Sequence, residues 1–148
     1  MNRIAFGAAA ALAVALTGCT ARPPAIVPVE GVVLLDGAPL PKVNVLFFPQ
    51  GEFDGASDYI AQGVTDDQGR FRLTCHGRDG ACACENIVAV MDDVPEELSA
   101  SSARTRYYEY MNGLKNRPVP DRFRSAATSP ARVAVTAGQT EYRIDLRR

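Results

Sequence analysis

The sequence predicts an all-β fold, a seven-stranded sandwich carrying one helical insertion, behind an N-terminal signal helix. Three observations predict it. Seven short runs of apolar and β-branched residues are separated by turn residues. One segment, Pro95 to Gly113, leaves the period-two rhythm for helix chemistry. The first eighteen residues carry one charged side chain, Arg3, and an apolar run.

The chain opens Met1-Asn2-Arg3, and Ile4 to Leu16 then runs thirteen residues without a charge. A spanning helix needs ~20 apolar residues, so this run is too short. It suits the apolar core of a secretory signal over residues 1–18, which is ~7 to 15 residues behind a basic head. Leu16-Thr17-Gly18-Cys19 resembles the lipobox of bacterial lipoproteins. The resemblance implies that a diacylglyceryl group is attached to the Cys19 sulfur and that the signal is cut just before it. It also implies that the new amino group is acylated. A thiolate is a good nucleophile for a lipid donor. One acyl chain alone binds a membrane marginally, and two or three bind it firmly. Thr20 stands where an aspartate would signal retention at the inner membrane, which favours the outer membrane. Residues 19–28 hold three prolines and read as a short, stiff tether.

Residues 29–148 read as one domain. In VEGVVLLDG, Val32 and Leu34 share one face and Val33 and Leu35 the other, with a turn at Asp36-Gly37-Ala38-Pro39. VNVLFF, residues 43–48, is apolar on both faces. A Gly-, Ser- and Asp-containing loop precedes a third strand, Tyr59 to Thr65. Asp66-Asp67-Gln68-Gly69 is a tight turn, because glycine takes positive φ readily. Phe71 and Leu73 then alternate with Arg70, Arg72 and Thr74, and Ile87 to Met91 makes a fifth strand. The insertion, 92–118, contains the predicted helix: Pro95 in its first turn, Glu96 and Glu97 at its positive end, Gly113 at its stop. Leu98, Thr105, Tyr108 and Met111 lie roughly on one stripe of it. Arg132 to Thr136 and Thr140 to Leu146 read as a final hairpin, with Tyr142, Ile144 and Leu146 inward.

VEGVVLLDGAPLPKVNVLFFP, GVTDDQGRFRL and GACACENIVAV together resemble a carboxypeptidase regulatory-like domain, which is transthyretin-like. The resemblance implies a Greek-key sandwich and a non-catalytic role. It covers Val29 to about Met91 well, and Pro118 to Leu146 less specifically. The insertion departs from the plain domain, as do Cys84 and Asn86, which stand where a glycine and an aromatic are commoner. A transthyretin-like enzyme, hydroxyisourate hydrolase, uses several histidines and a terminal Tyr-Arg-Gly-Ser. This chain has one histidine and Tyr142-Arg143-Ile144-Asp145.

Net charge is −1, with no basic stripe, so nucleic-acid binding has no electrostatic footprint. Beyond Cys19 stand Cys75, Cys82 and Cys84, an odd number. Export would place them where disulfides persist. Strand parity selects a Cys75–Cys84 disulfide, with Cys75–Cys82 the second choice. The alternative is a periplasmic metal- or redox-handling site of Cys75, His76, Cys82 and Cys84. Its C-H-x5-C-x-C spacing matches no standard zinc pattern. Asp54, Asp58, Asp66, Asp67, Asp92 and Asp93 sit in loops without calcium-loop spacing. Ser99, Ser101, Ser102, Ser125 and Ser129 lie in no nucleophile elbow. No catalytic residue, metal, cofactor or small-molecule substrate is expected, and an uncharacterised hydrolase ranks last.

The expected function is a module displayed on the envelope, held to a membrane by its lipid and contacting an unknown envelope protein or glycan. Tyr107, Tyr108 and Tyr110 are the expected binding surface. Three near-adjacent tyrosines on a helix cannot all face one core, and tyrosine gives a large contact area at low entropic cost.

Overall fold

A computed structural model describes residues 22–148 apart from Glu52, Asp54, Gly55 and Lys115. The expected signal, Cys19 and the start of the tether lie outside the described residues. The strands, in order, are β1 (Ile26–Val27), β2 (Glu30–Leu35), β3 (Ala38–Pro39), β4 (Val43–Pro49), β5 (Ala61–Val64) and β6 (Arg70–Arg72). They continue with β7 (Thr74–Cys75), β8 (Arg78–Asp79), β9 (Ala81–Cys82), β10 (Glu85–Asp92), β11 (Arg132–Ala134) and β12 (Glu141–Leu146). Helices α1 (Glu96–Ser99) and α2 (Arg104–Gly113) fall between β10 and β11.

The molecule is mostly β, with largely antiparallel sheets. A six-stranded sheet runs β11-β10-β4-β5-β7-β8. A smaller sheet places β12 on one side of β2, and β3 and β6 on the other. Among the described residues β1 pairs only with β9. Both sheets turn alternate residues into one core: Val33 and Leu35 with Ile144 and Leu146 from the smaller sheet, Val45 and Phe47 with Val88 and Val90 from the larger. Phe47 and Phe71 meet across it, ring centres 6.3 Å apart.

The seven expected strands are subdivided in the structure, and the reason is local. Residues 70–75 were expected as one strand, yet Arg70–Arg72 pair with β2 while Thr74 pairs with β5 in the other sheet. The switch falls at Leu73, which is fully buried and donates to the Val29 carbonyl at 3.0 Å. A strand that changes sheets this way makes a closed corner of the two layers. The expected hairpin of β11 and β12 does not form. β11 pairs with β10, and β12 runs parallel to β2, Glu141 opposite Glu30 through Leu146 opposite Leu35. Its inward set, Tyr142, Ile144 and Leu146, is as predicted. Period two fixes which side chains face the core, not which neighbour supplies the ladder.

The turns follow their residues. Asp36 (φ 52°) and Gly37 (φ 84°) both take positive φ between β2 and β3, the geometry of a tight hairpin. Gly69 has φ 73°, and a Cβ there would lie 2.8 Å from the Val33 carbonyl oxygen.

The predicted single helix from Pro95 to Gly113 is interrupted. Ala100 is extended (φ −70°, ψ 142°), and a 3-10 turn, Ser101–Ala103, separates α1 from α2. Serines compete for nearby backbone groups and so weaken a helix interior. Ser99 Oγ reaches back to the Pro95 carbonyl at 3.5 Å.

Candidate functional site

The insertion is fastened to the sandwich by charge. Asp92 ends β10 and is nearly buried; its carboxylate meets Arg117 Nη1 and Arg124 Nη2, each at 2.7 Å. The Arg117 side chain is 3 % exposed. Its Nη2 donates to the carbonyls of Pro41 and Lys42, while Nε has no partner. Burial pulls the Arg117 guanidinium below its ordinary value, and Asp92 opposes that shift. Asn116 Nδ2 donates to the Pro39 carbonyl at 2.9 Å. The segment returning from α2 is thereby stitched to the loop between β3 and β4. Asp92 is expected in a loop with the other aspartates; instead it closes a strand and is paired. The arginines that neutralise it lie at least 25 residues away, Arg117 in the returning loop and Arg124 at the end of a 3-10 turn, where the sequence has no periodic signal.

The three tyrosines divide. Tyr110 turns back, and its hydroxyl donates to the Asp93 carbonyl at 3.2 Å. Tyr108 is 51 % exposed, and Tyr107 meets it edge-on with ring centres 5.5 Å apart. The Arg104 guanidinium stands over the Tyr108 ring at 5.8 Å. Beside them opens a hollow of about 290 Å³, lined by Tyr107, Tyr108, Met111, Asn112 and Leu114, with Arg117 at its margin. Of the stripe Leu98, Thr105, Tyr108 and Met111, Met111 is buried, whereas Thr105 and Tyr108 are exposed.

Among the described residues the three cysteines are free thiols, with Cys75 and Cys82 buried and Cys84 half-buried. The expected Cys75–Cys84 pair is not joined. Cys84 N–H donates to the Cys82 carbonyl at 2.8 Å, closing a three-residue turn. Asn86, fully buried, donates through Nδ2 to the Cys82 and Cys84 carbonyls at 3.1 and 2.9 Å. The sequence marked Asn86 only as an oddity; its work is to hold this turn. His76 is exposed at φ 50°, with Gly77 at 73°, in a tight turn between β7 and β8. Its ring stacks on Tyr59 at 5.3 Å, so it leaves the thiols. Among the described residues no three His, Cys, Asp or Glu side chains are placed to hold a metal ion.

Ser129 has structural partners. Its Oγ donates to the Val88 carbonyl and accepts from Ala131 N–H at 3.2 Å. A shallow groove of about 660 Å³ crosses the outer face of the smaller sheet, among Glu30, Arg70, Arg72, Glu141 and Arg143. Its charges offset one another, as in the Arg72–Glu30 pair at 3.0 Å. Among the described residues no helix is long and apolar enough to cross a membrane. No family model, curated protein or solved structure matches the chain.

Proposed function

We propose that this chain is a lipid-anchored, non-catalytic module of the bacterial cell envelope. In this reading it is a Greek-key sandwich of the carboxypeptidase regulatory-like, transthyretin-like kind. It holds the hollow at Tyr107 and Tyr108 beside a membrane, where an envelope protein or glycan contacts it. The observation that carries the reading is Leu16-Thr17-Gly18-Cys19 at the end of an uncharged run of thirteen residues. Cys19 lies seven residues before Ile26, where β1 begins. Even fully extended, that distance is at most ~25 Å, so acyl chains on Cys19 would keep the sandwich close to the bilayer. Tyr108, half exposed on the far side of a charge-clamped insertion, supports the contact surface.

The test uses the full chain in a double-membrane bacterium fed a labelled fatty acid. The parent takes up label and sediments with membranes. Cys19→Ser takes up none, and its membrane-bound fraction falls roughly tenfold or more, because the acyl chains supply the attachment. Tyr108→Ala keeps the label and loses the in-cell crosslinks that the parent forms with its neighbours. Label on Cys19→Ser, or undiminished sedimentation, would overturn the anchor. Crosslinks unchanged by Tyr108→Ala would overturn the surface.

A further inference from the structure

The hairpin of β7 and β8 ends on the bond from Gly80 N–H to the Leu73 carbonyl, at 2.8 Å. At Gly80 (φ 121°) the chain leaves that ladder and turns inward. Ala81 and Cys82, both fully buried, pair with Val27 and Ile26 of β1. A Cβ at Gly80 would lie 1.9 Å from the Val27 carbonyl oxygen, so this path requires glycine. It sets β9 against β7, the strand that carries Cys75, with both thiols buried. Cys75 Sγ donates to the Tyr59 carbonyl at 3.2 Å. Cys84 is held out of this contact by the turn that Asn86 secures, with its sulfur 3.9 Å from Asn86 Nδ2.

We propose that Cys75 and Cys82 are a disulfide-forming pair, and that their bond staples β9, and through it β1, to the larger sheet. The proposal rests on the exported reading for its oxidising compartment. The oxidant is a disulfide donor, a dithiol oxidoreductase in the cell or glutathione disulfide in the tube. Two S–H bonds break and one S–S bond forms. The two electrons and two protons reduce the donor disulfide to two thiols. Exchange needs a thiolate, yet burial and the neighbouring thiols push the folded Cys82 up to about 12. Both thiols are also buried in the folded chain, out of a donor's reach, so the bond forms while the chain folds. The staple lies where, among the described residues, β9 is the one strand partner of β1, at the end nearest the proposed anchor.

The test refolds full-length Cys19→Ser chain from denaturant with glutathione disulfide present. Unreacted thiols are then alkylated under denaturing conditions and the chain is mapped by mass spectrometry. The expected product is a Cys75–Cys82 link with Cys84 alkylated. Cys84→Ser keeps the link and Cys82→Ser has none. Reducing the link lowers the melting temperature by roughly 5–15 °C. A link through Cys84, three alkylated cysteines, or a melting temperature indifferent to reduction would overturn the proposal. Parent chain isolated from cells reports separately on export. Three free thiols there, with the link formed in the refolding tube, would count against the compartment and not against the pair.

Discussion

The Asp66 carboxylate accepts the N–H groups of Gln68 and Arg70 at 2.8 and 2.9 Å, and these two bonds hold it below its ordinary 3.8. Both bonds favour the charged form, so the turn is tightest when Asp66 is ionised. A carboxyl lowered by folding adds stability above its unfolded value, and that contribution fades as pH falls through the folded one. Asp66→Asn keeps an oxygen acceptor but cannot titrate. Denaturant midpoints measured between about pH 6 and pH 2 should fall in the parent below about pH 4, and fall less steeply in Asp66→Asn. Parallel curves would show that the turn does not sense its carboxylate. Legibility divides at this same scale. Gly69 was readable because positive φ is a property of one residue. Thr65 was not: its buried hydroxyl accepts from Val43 N–H at 3.0 Å and donates to the Leu40 carbonyl at 2.8 Å. Those partners lie more than twenty residues away, where sequence has no local signature.

Between elements, the balance rests on where charge is buried. Asp92 and Arg117 are nearly dry, whereas Arg72 and Glu30 are well exposed. Removing one partner of a buried pair strands the other, which costs about 3–5 kcal/mol. An exposed pair contributes at most about 1 kcal/mol. Asp92→Ala should therefore destabilise by about 3–5 kcal/mol and Arg72→Ala by under about 1 kcal/mol, read from chemical unfolding. Equal losses would mean that the insertion is held by packing alone. The element scale also shows why strands were legible and their neighbours were not. Alternation exposes a strand to inspection, as at Tyr142, Ile144 and Leu146. Pairing is decided by the rest of the chain, so β12 could be read as a strand without its place beside β2. Of the site, the tyrosines and the thiols were visible as residue types. The clamp of Asp92 depends on returning segments and was not; for the thiols the sequence left Cys84 and Cys82 as competing partners of Cys75.

Over the whole molecule, the long closures fall on β2. One side of that strand is covered by β6 and β3, and the other only by β12. The Arg148 side chain then reaches Asp36 at 2.7 Å, 112 residues away in sequence. Contacts this distant demand that a large loop be closed before they reward it, so the sandwich completes late. Burying Tyr142, Ile144 and Leu146 contributes on the order of 1.5–3 kcal/mol each. Together that rivals the whole stability of a domain this size, ~5–15 kcal/mol. A chain ending at Thr140 should therefore lose cooperative melting, and its circular dichroism should drift with temperature without a transition. Arg148→Ala, which breaks only an exposed ion pair, should melt within a few degrees of the parent. On the proposed export route this order has a use. A chain that cannot finish β2 until residues 141–146 arrive stays unfolded while it is threaded across a membrane. A Thr140-terminated chain that still melts cooperatively would remove that link between topology and export, because β2 would then be complete without its parallel partner.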